Sequence, residues 1–339
     1  MKRFALIGCG RIGTLHAEVI TAHPGASLDT VYDPNADAAR AIADANGARV
    51  AGSANDAITS EATDAVLIAS ATATHADLIE SAVAAGKPVF CEKPIDLDLQ
   101  RVRQCRAAVA NADVPVQIGF NRRFDPGHRA VRDRAQSGEI GDVFQVIITS
   151  RDPAPPPRAY VAQSGGLFRD MTIHDFDLAR FMLGEDIAAV QAIGAALINP
   201  ALATDLGDID TAMVTLETAS GRQCQINNSR QAAYGYDQRV EVLGRDGMLI
   251  SANRTETGVE AYSATTTAAA APYLNFFLER YRTAFDRQFD AFLALIEGRA
   301  DCEATFADGE AALVLAECAN MALHERRSVA VEEIADRSE

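Results

Sequence analysis

Positive charge is scarce in this sequence of 339 residues: 31 Lys and Arg stand against 47 Asp and Glu, a formal net charge of −16. A surface that gathers phosphates needs clustered Lys and Arg, so the deficit argues against nucleic acid as a partner while leaving room for a small neutral ligand. Apolar runs are short as well. None approaches the ~18 residues of a membrane span. The N-terminal run Phe4-Ala5-Leu6-Ile7 leads directly into Gly8, where a signal peptide would need a longer apolar core and a cleavage site. The expectation is a cytoplasmic protein with no membrane partner. Paired cysteines are also missing. Cys9, Cys91, Cys105, Cys224, Cys302 and Cys318 form no CxxC and have no histidine at metal-ligand spacing, so they read as reduced packing residues and no metal is expected. No internal repeat is visible.

What is present is the balance of a globular enzyme, 48% apolar and 23% charged. The length exceeds the ~250–300 residues at which one core stops growing, which predicts two domains. Up to about residue 120, short apolar runs alternate with Ala-rich stretches, the rhythm of a parallel sheet with crossover helices. Strands are predicted at Phe4–Ile7, Leu28–Tyr32, Ala65–Ser70, Val89–Cys91 and Val116–Ile118, and helices at Ala36–Ala45, Ala76–Ala85 and Leu99–Ala110. Beyond Gly119, period-2 segments at Val143–Thr149, Thr211–Thr218 and Arg239–Leu243 are divided by Ser220-Gly221 and Asp246-Gly247 turn pairs, which favours antiparallel strands. Helices are expected at Met171–Leu183, Phe285–Glu297 and Gly309–Arg326. Pro153-Ala154-Pro155-Pro156-Pro157 reads as a stiff loop and Thr265–Ala271 as a low-complexity loop. The predicted class is α/β: a dinucleotide-binding Rossmann domain over 1–120, then an α+β domain over 121–339 built on an open, largely antiparallel sheet with one face available to a partner.

The first apolar run ends in Gly8-Cys9-Gly10-Arg11-Ile12-Gly13, a GxGxxG that opens a helix. Glycine there serves the tight turn, the approach of a pyrophosphate and close helix–strand packing, while the helix start holds the phosphates. Asp33 closes the next strand twenty residues beyond Gly13, where a carboxylate accepts hydrogen bonds from the adenosine ribose. It is also a turn-forming residue before Pro34, and the two readings are compatible. A 2′-phosphate would face this carboxylate with no arginine before Arg40, so the expected cofactor is NAD in preference to NADP. Ser70, Thr72 and His75, in the run Ile68–His75, are further candidates along the cofactor, as are Arg11 and Ile12 of the motif itself. Small and hydroxyl side chains there equally well describe a loop that caps the next helix.

Cys91-Glu92-Lys93-Pro94 follows another strand and places Glu92 and Lys93 at the rim where α/β sheets bind ligands. A lysine taken alone is a solvated surface residue by default. Further on, Gly165-Gly166-Leu167-Phe168-Arg169-Asp170-Met171-Thr172-Ile173-His174-Asp175-Phe176-Asp177 puts Asp170, His174 and Asp177 at i, i+4 and i+7, on one stripe of an otherwise apolar helix. Such a stripe either faces a cavity or consists of an N-cap, a core histidine and a solvated carboxylate.

These motifs, with Gly119-Phe120-Asn121-Arg122-Arg123-Phe124-Asp125-Pro126, resemble the glucose–fructose oxidoreductase, inositol dehydrogenase and MocA family over nearly the whole chain. Ser150–Pro157 (SRDPAPPP) and Tyr234–Arg239 (YGYDQR) are most similar to its bacterial inositol-oxidising members. The resemblance implies that Lys93, Asp170 and His174 form the catalytic set and that Arg122, Asp152, Asp177 and Tyr236 contact polyol hydroxyls. Ser150 stands where some inositol-oxidising members carry a histidine. The resemblance also implies a homo-oligomer, a tetramer in preference. The reaction it implies is NAD-dependent oxidation of a cyclic polyol, myo-inositol first, with a pyranose or another inositol isomer as the alternative substrate. A non-catalytic NAD-binding regulator is a more distant alternative. His174 suits the role of general base, oriented by Asp170, with Lys93 steadying the reacting oxygen. Which of His174 and Lys93 takes the proton stays open at this level.

Overall fold

The computed structural model describes residues 1–335. The chain forms two compact units. The first holds Met1–Phe124 and Thr283–Leu313, and the second holds Asp125–Arg282 and, among the described residues, those from Val314 to Ala335. The first unit thus takes back Thr283–Leu313 after the second has begun.

In the first unit, strands β1 (Lys2–Ile7), β2 (Ala26–Tyr32), β3 (Arg49–Val50), β4 (Ala65–Ile68), β5 (Val89–Cys91) and β6 (Val116–Ile118) make one sheet in the order β3-β2-β1-β4-β5-β6. All its pairings are parallel. Parallel strands covered on both faces read as continuous apolar runs, as Phe4–Ile7 and Ala65–Ile68 do; all of these residues are buried. β3 has only two exposed residues and carried no such signal. The returning helix Arg282–Ile296 supplies Phe285, Phe289 and Phe292 on one face. Phe4 packs against Phe289 and Phe292 with ring centroids 5.1 and 6.2 Å apart, and Phe90 stands edge-on to Phe292 at 5.8 Å. The strand order reverses direction at β1 and β4, so the loops leaving those two strands open the crevice at which such sheets bind ligands.

In the second unit, β7 (Val143–Arg151), β8 (Ile187–Ala195), β9 (Thr211–Thr218), β10 (Gln223–Ser229), β11 (Asp237–Gly244) and β12 (Gly247–Ser251) form an open sheet in the order β12-β11-β7-β10-β9-β8, extended by Val329–Ala330. The sheet is mixed: β7 and β10 run parallel, and the other pairings are antiparallel. Helices Pro126–Gln136 and Ile173–Leu183 pack on one face. The alternating pattern of β9 sends Ala212, Val214 and Leu216 toward those helices and Met213 to the other side. Asp125 caps the first of these helices through the amides of Gly127 and His128, and its other oxygen accepts a 2.6 Å bond from the buried Arg280. Within the expected loop Thr265–Ala271, Ala269–Ala270 pairs with Glu260–Ala261 as a small hairpin. Among the described residues no helix is long and apolar enough to cross a membrane.

Candidate active site

The glycine turn lies at the exit of β1, and each of its three glycines has a different reason to be there. Gly8 has φ of 100°, and a Cβ would fall 2.4 Å from the backbone of Ala69 and Ser70, in the loop leaving β4. At Gly13 a Cβ would sit 2.0 Å from the Gly8 carbonyl oxygen, so any side chain would force the helix away from the turn. Gly10 faces open space, with nothing within 4 Å of an added Cβ. Among the described residues no side chain caps the helix Arg11–Ala22 that follows, and its first turn carries no acid. An open cradle with uncapped amides at a helix start fits the pyrophosphate of a dinucleotide. Arg11 is exposed and Ile12 half-buried at its rim.

Asp33 lies within the same turn. Its Oδ2 accepts the Cys9 amide at 2.7 Å and its Oδ1 the Asn35 amide at 2.7 Å, so the carboxylate joins the end of β2 to the glycine turn. Each oxygen keeps a lone pair for a ribose hydroxyl. The thiol of Cys9 is pushed up to about 11 by burial and by Asp33, which keeps it protonated at neutral pH. At the β4 exit, Ser70 and Thr72 are half-buried, and the Ser70 hydroxyl bonds that of Thr74 at 2.7 Å.

The structure gives His75 and Glu92 duties inside the protein. His75 is buried with Nδ1 2.8 Å from the Pro94 carbonyl and Nε2 3.0 Å from the Ser70 carbonyl. The ring lies between two carbonyls, of which the single N–H of a neutral imidazole bonds one, so the side chain fills the space between the β4 and β5 loops in place of the expected cofactor contact. Burial holds its pKa below the usual histidine range. Glu92 accepts a 2.7 Å bond from Nε2 of His16 on the glycine helix, a residue that was not a sequence candidate. The His16 ring stands edge-on to Phe90 and Phe285 in the core. Glu92 therefore ties the segment carrying Lys93 to the cofactor turn. Lys93 is half-buried, and its peptide bond to Pro94 is cis. Arg122 is buried in the turn Asn121–Phe124.

The second unit carries the acid–histidine segment. The continuous α-helix expected from Met171 is replaced at its start: Phe168–Thr172 is a π-helical turn, and the α-helix runs Ile173–Leu183. Single π turns inside helices often mark functional sites. The turn follows Gly165-Gly166, where Asp208 accepts the Leu167 amide at 3.0 Å. It is held to the sheet by Thr172, which donates to Asn228 of β10 at 2.7 Å, and by Asn228, which donates to Asp175 at 2.8 Å. Asp170, 11% exposed at its side chain, and His174 are both half-buried, and Asp177 is fully buried.

Asp170 is gripped at both oxygens. The Tyr160 hydroxyl donates to Oδ1 at 2.7 Å, and Nη1 of Arg230 lies 2.9 Å from Oδ2. The same Nη1 lies 3.8 Å from Oδ2 of Asp152, so one guanidinium joins the catalytic and substrate-binding candidates. Burial works against the charge on Arg230, but Asp170 and Asp152 more than offset it and raise its pKa. Neither Tyr160 nor Arg230 was a sequence candidate. Tyr160 follows a proline run that reads only as loop, and Arg230 directly follows a strand too polar to be recognised. Tyr236 is buried, with its ring edge-on to Tyr281 at 6.1 Å. Ser150 is fully buried and bonds Gln238, so its hydroxyl serves the interior of the sheet.

Residues 2–120 match the model of an oxidoreductase family with an NAD-binding Rossmann fold, and residues 128–250 match the GFO/IDH/MocA C-terminal domain. The chain is 47% identical to an inositol 2-dehydrogenase of Rhizobium meliloti (strain 1021), covering 97% of this chain and 99% of that protein. It is 40% identical to a myo-inositol 2-dehydrogenase of Thermotoga maritima, covering 98% and 99%. Its fold is similar to the crystal structure of scyllo-inositol dehydrogenase from Lactobacillus casei with bound NAD(H) and scyllo-inositol. That similarity has a TM-score of 0.88 at 30% identity, over 98% of this chain and 99% of the other. The cofactor turn in the first unit and the acid–histidine segment in the second are the two halves of one family's pattern, and the chain belongs to the GFO/IDH/MocA family of oxidoreductases.

Proposed function

We propose that the protein oxidises one hydroxyl of a cyclic polyol to a ketone with NAD, and that its substrate is myo-inositol, giving 2-keto-myo-inositol (scyllo-inosose) for inositol catabolism. The observation that carries this reading is the presence of an intact Gly8, Gly10, Gly13 and Asp33 cradle together with Lys93, Asp170 and His174, in a chain 47% identical to an inositol 2-dehydrogenase over nearly its whole length.

Bound NAD supplies the acceptor for the hydride that leaves the carbinol carbon. The protein's own part is to take the hydroxyl proton and to hold the ring. His174 is assigned as the base, because an imidazole is the side chain best suited to general-base work and this one follows the fixed carboxylate of Asp170 by one turn. Asp170 orients the imidazole and stabilises its protonated form. Lys93 donates to the reacting oxygen and steadies the negative charge that develops there. Asp152, Asp177, Arg122 and Tyr236 are assigned to the remaining hydroxyls.

We further infer a cytoplasmic homo-oligomer, a tetramer. Support comes from the uncovered face of the second sheet, where Ile193 and Met213 are cross-strand partners at 65% and 52% exposure. Leu243 and Met248 form another exposed pair. A self-complementary apolar face of this kind suits isologous pairing.

Absorbance at the NADH band, followed with myo-, scyllo- and chiro-inositol and common aldoses, tests the reaction. Fastest turnover on an inositol is expected. A preference for an aldose would make the protein a sugar dehydrogenase, and NAD binding without turnover would make it a binding protein. In the same assay His174→Ala is expected to lower kcat by roughly 10²–10⁴-fold with the NAD dissociation constant unchanged. Near-wild-type turnover by the folded variant would transfer the base role to Lys93.

A further inference from the structure

The parallel pairing of β7 with β10 has a chemical consequence. Its register ends with Arg151 opposite Ser229, so the next residues of the two strands, Asp152 and Arg230, leave the same edge of the sheet side by side. The backbone is secured there: the Asp152 amide donates to the Ser229 carbonyl at 2.9 Å, and the Arg230 amide donates to the Asp210 carbonyl at 2.8 Å. An antiparallel neighbour would have carried Arg230 toward the opposite edge. The Arg230 side chain is 5% exposed, and its Nη1 reaches Oδ2 of both Asp170 and Asp152. Tyr160 holds the other oxygen of Asp170.

We propose that Arg230 is a positioning residue that sets the carboxylates of Asp170 and Asp152 at a fixed separation, so that holding the polyol and orienting the base depend on one buried cation. The proposal rests on the assignment of Asp170 and His174 to proton removal and of Asp152 to a substrate hydroxyl. Without Arg230 the two converging carboxylates repel one another more strongly, and each loses a contact that orients it. Removal of the cation therefore weakens kcat through Asp170 and KM through Asp152 together. Because Nη1 alone makes both contacts, a single ammonium at that point can restore them, whereas an apolar chain of similar length cannot.

Steady-state kinetics of the full chain at saturating NAD, on Arg230→Met, Arg230→Gln and Arg230→Lys, test this. In Arg230→Met, kcat for myo-inositol falls roughly 10–100-fold, less than the 10²–10⁴-fold of a positioned base because Arg230 acts only through Asp170. KM rises in parallel, and the NAD dissociation constant is unchanged. Arg230→Lys recovers most of the loss in both parameters. Should Arg230→Met fail to fold, Arg230→Gln, which keeps donors but no charge, takes its place in the comparison. The proposal is overturned if the folded neutral variant keeps kcat and KM within about twofold of wild type, or if Arg230→Lys is no better than it. A purely structural arginine would lower the melting temperature and leave both constants alone. His174→Ala measured alongside separates the two failures. An active His174→Ala removes the underlying assignment, whereas an inactive one beside an unaffected Arg230→Met removes this proposal only.

Discussion

Asp33 has one observed role and one proposed role in a single carboxylate. It closes the glycine turn through the Cys9 amide, and it puts a negative charge at the end of β2 where the adenosine ribose of a dinucleotide lies. A unit negative charge brought within 4 Å of it is opposed by about 4 kcal/mol at an effective dielectric of 20. The enzyme is therefore expected to favour NAD over NADP strongly in kcat/KM. Asp33→Ala is expected to narrow that preference, mainly by weakening NAD, since the ribose loses its acceptor and the Cys9 amide loses its partner. Comparable kcat/KM for the two cofactors in the wild-type enzyme would reject the assignment. Asp33 was legible from spacing alone because the βα unit has a nearly constant length. His75 was not, because its sequence position beside the crevice says nothing about the two carbonyls that flank its ring.

Elements carry a different test. The three motif glycines are equivalent in the GxGxxG pattern, but the structure separates them into two kinds. Gly8→Ala and Gly13→Ala drive a Cβ into backbone at 2.4 and 2.0 Å, and Gly8 also needs a left-handed φ, a region that costs a non-glycine residue about 1–3 kcal/mol. Both variants are expected to lose stability, seen as a lower melting temperature. Gly10→Ala meets open space at φ of −74°. It is expected to keep the wild-type melting temperature and to lose NAD affinity by titration. An unchanged NAD dissociation constant in Gly10→Ala would mean that the pyrophosphate lies elsewhere. The acid–histidine element shows the limit of periodicity. The spacing of Asp170, His174 and Asp177 announced a helix, and a helix is there, but the π-helical turn at Phe168–Thr172 comes from the Asp208–Leu167, Thr172–Asn228 and Asn228–Asp175 bonds. Those partners belong to other elements, so no window centred on Asp170 contains them.

At the scale of the molecule, the uncovered face of the second sheet leads to an assembly prediction. Light scattering at micromolar protein is expected to report about four times the 36.1 kDa chain mass. Ile193→Lys with Met213→Glu is expected to shift it toward smaller species, and a wild-type monomer would reject the assembly. The sequence by itself determined the parallel first sheet and the glycine turn with Asp33, and it singled out Lys93, Asp170 and His174 as candidates. Each of these is written in short-range pattern: apolar runs, glycine spacing, or one helical stripe. Tertiary structure alone decided that Phe285, Phe289 and Phe292 return to the first unit and that β7 and β10 pair in parallel. It also decided that Arg230 meets Asp170 and Asp152 on one nitrogen. Strand pairing joins segments by burying apolar faces in a shared register, and that register is set by the whole sheet and not by the residues that end up in contact.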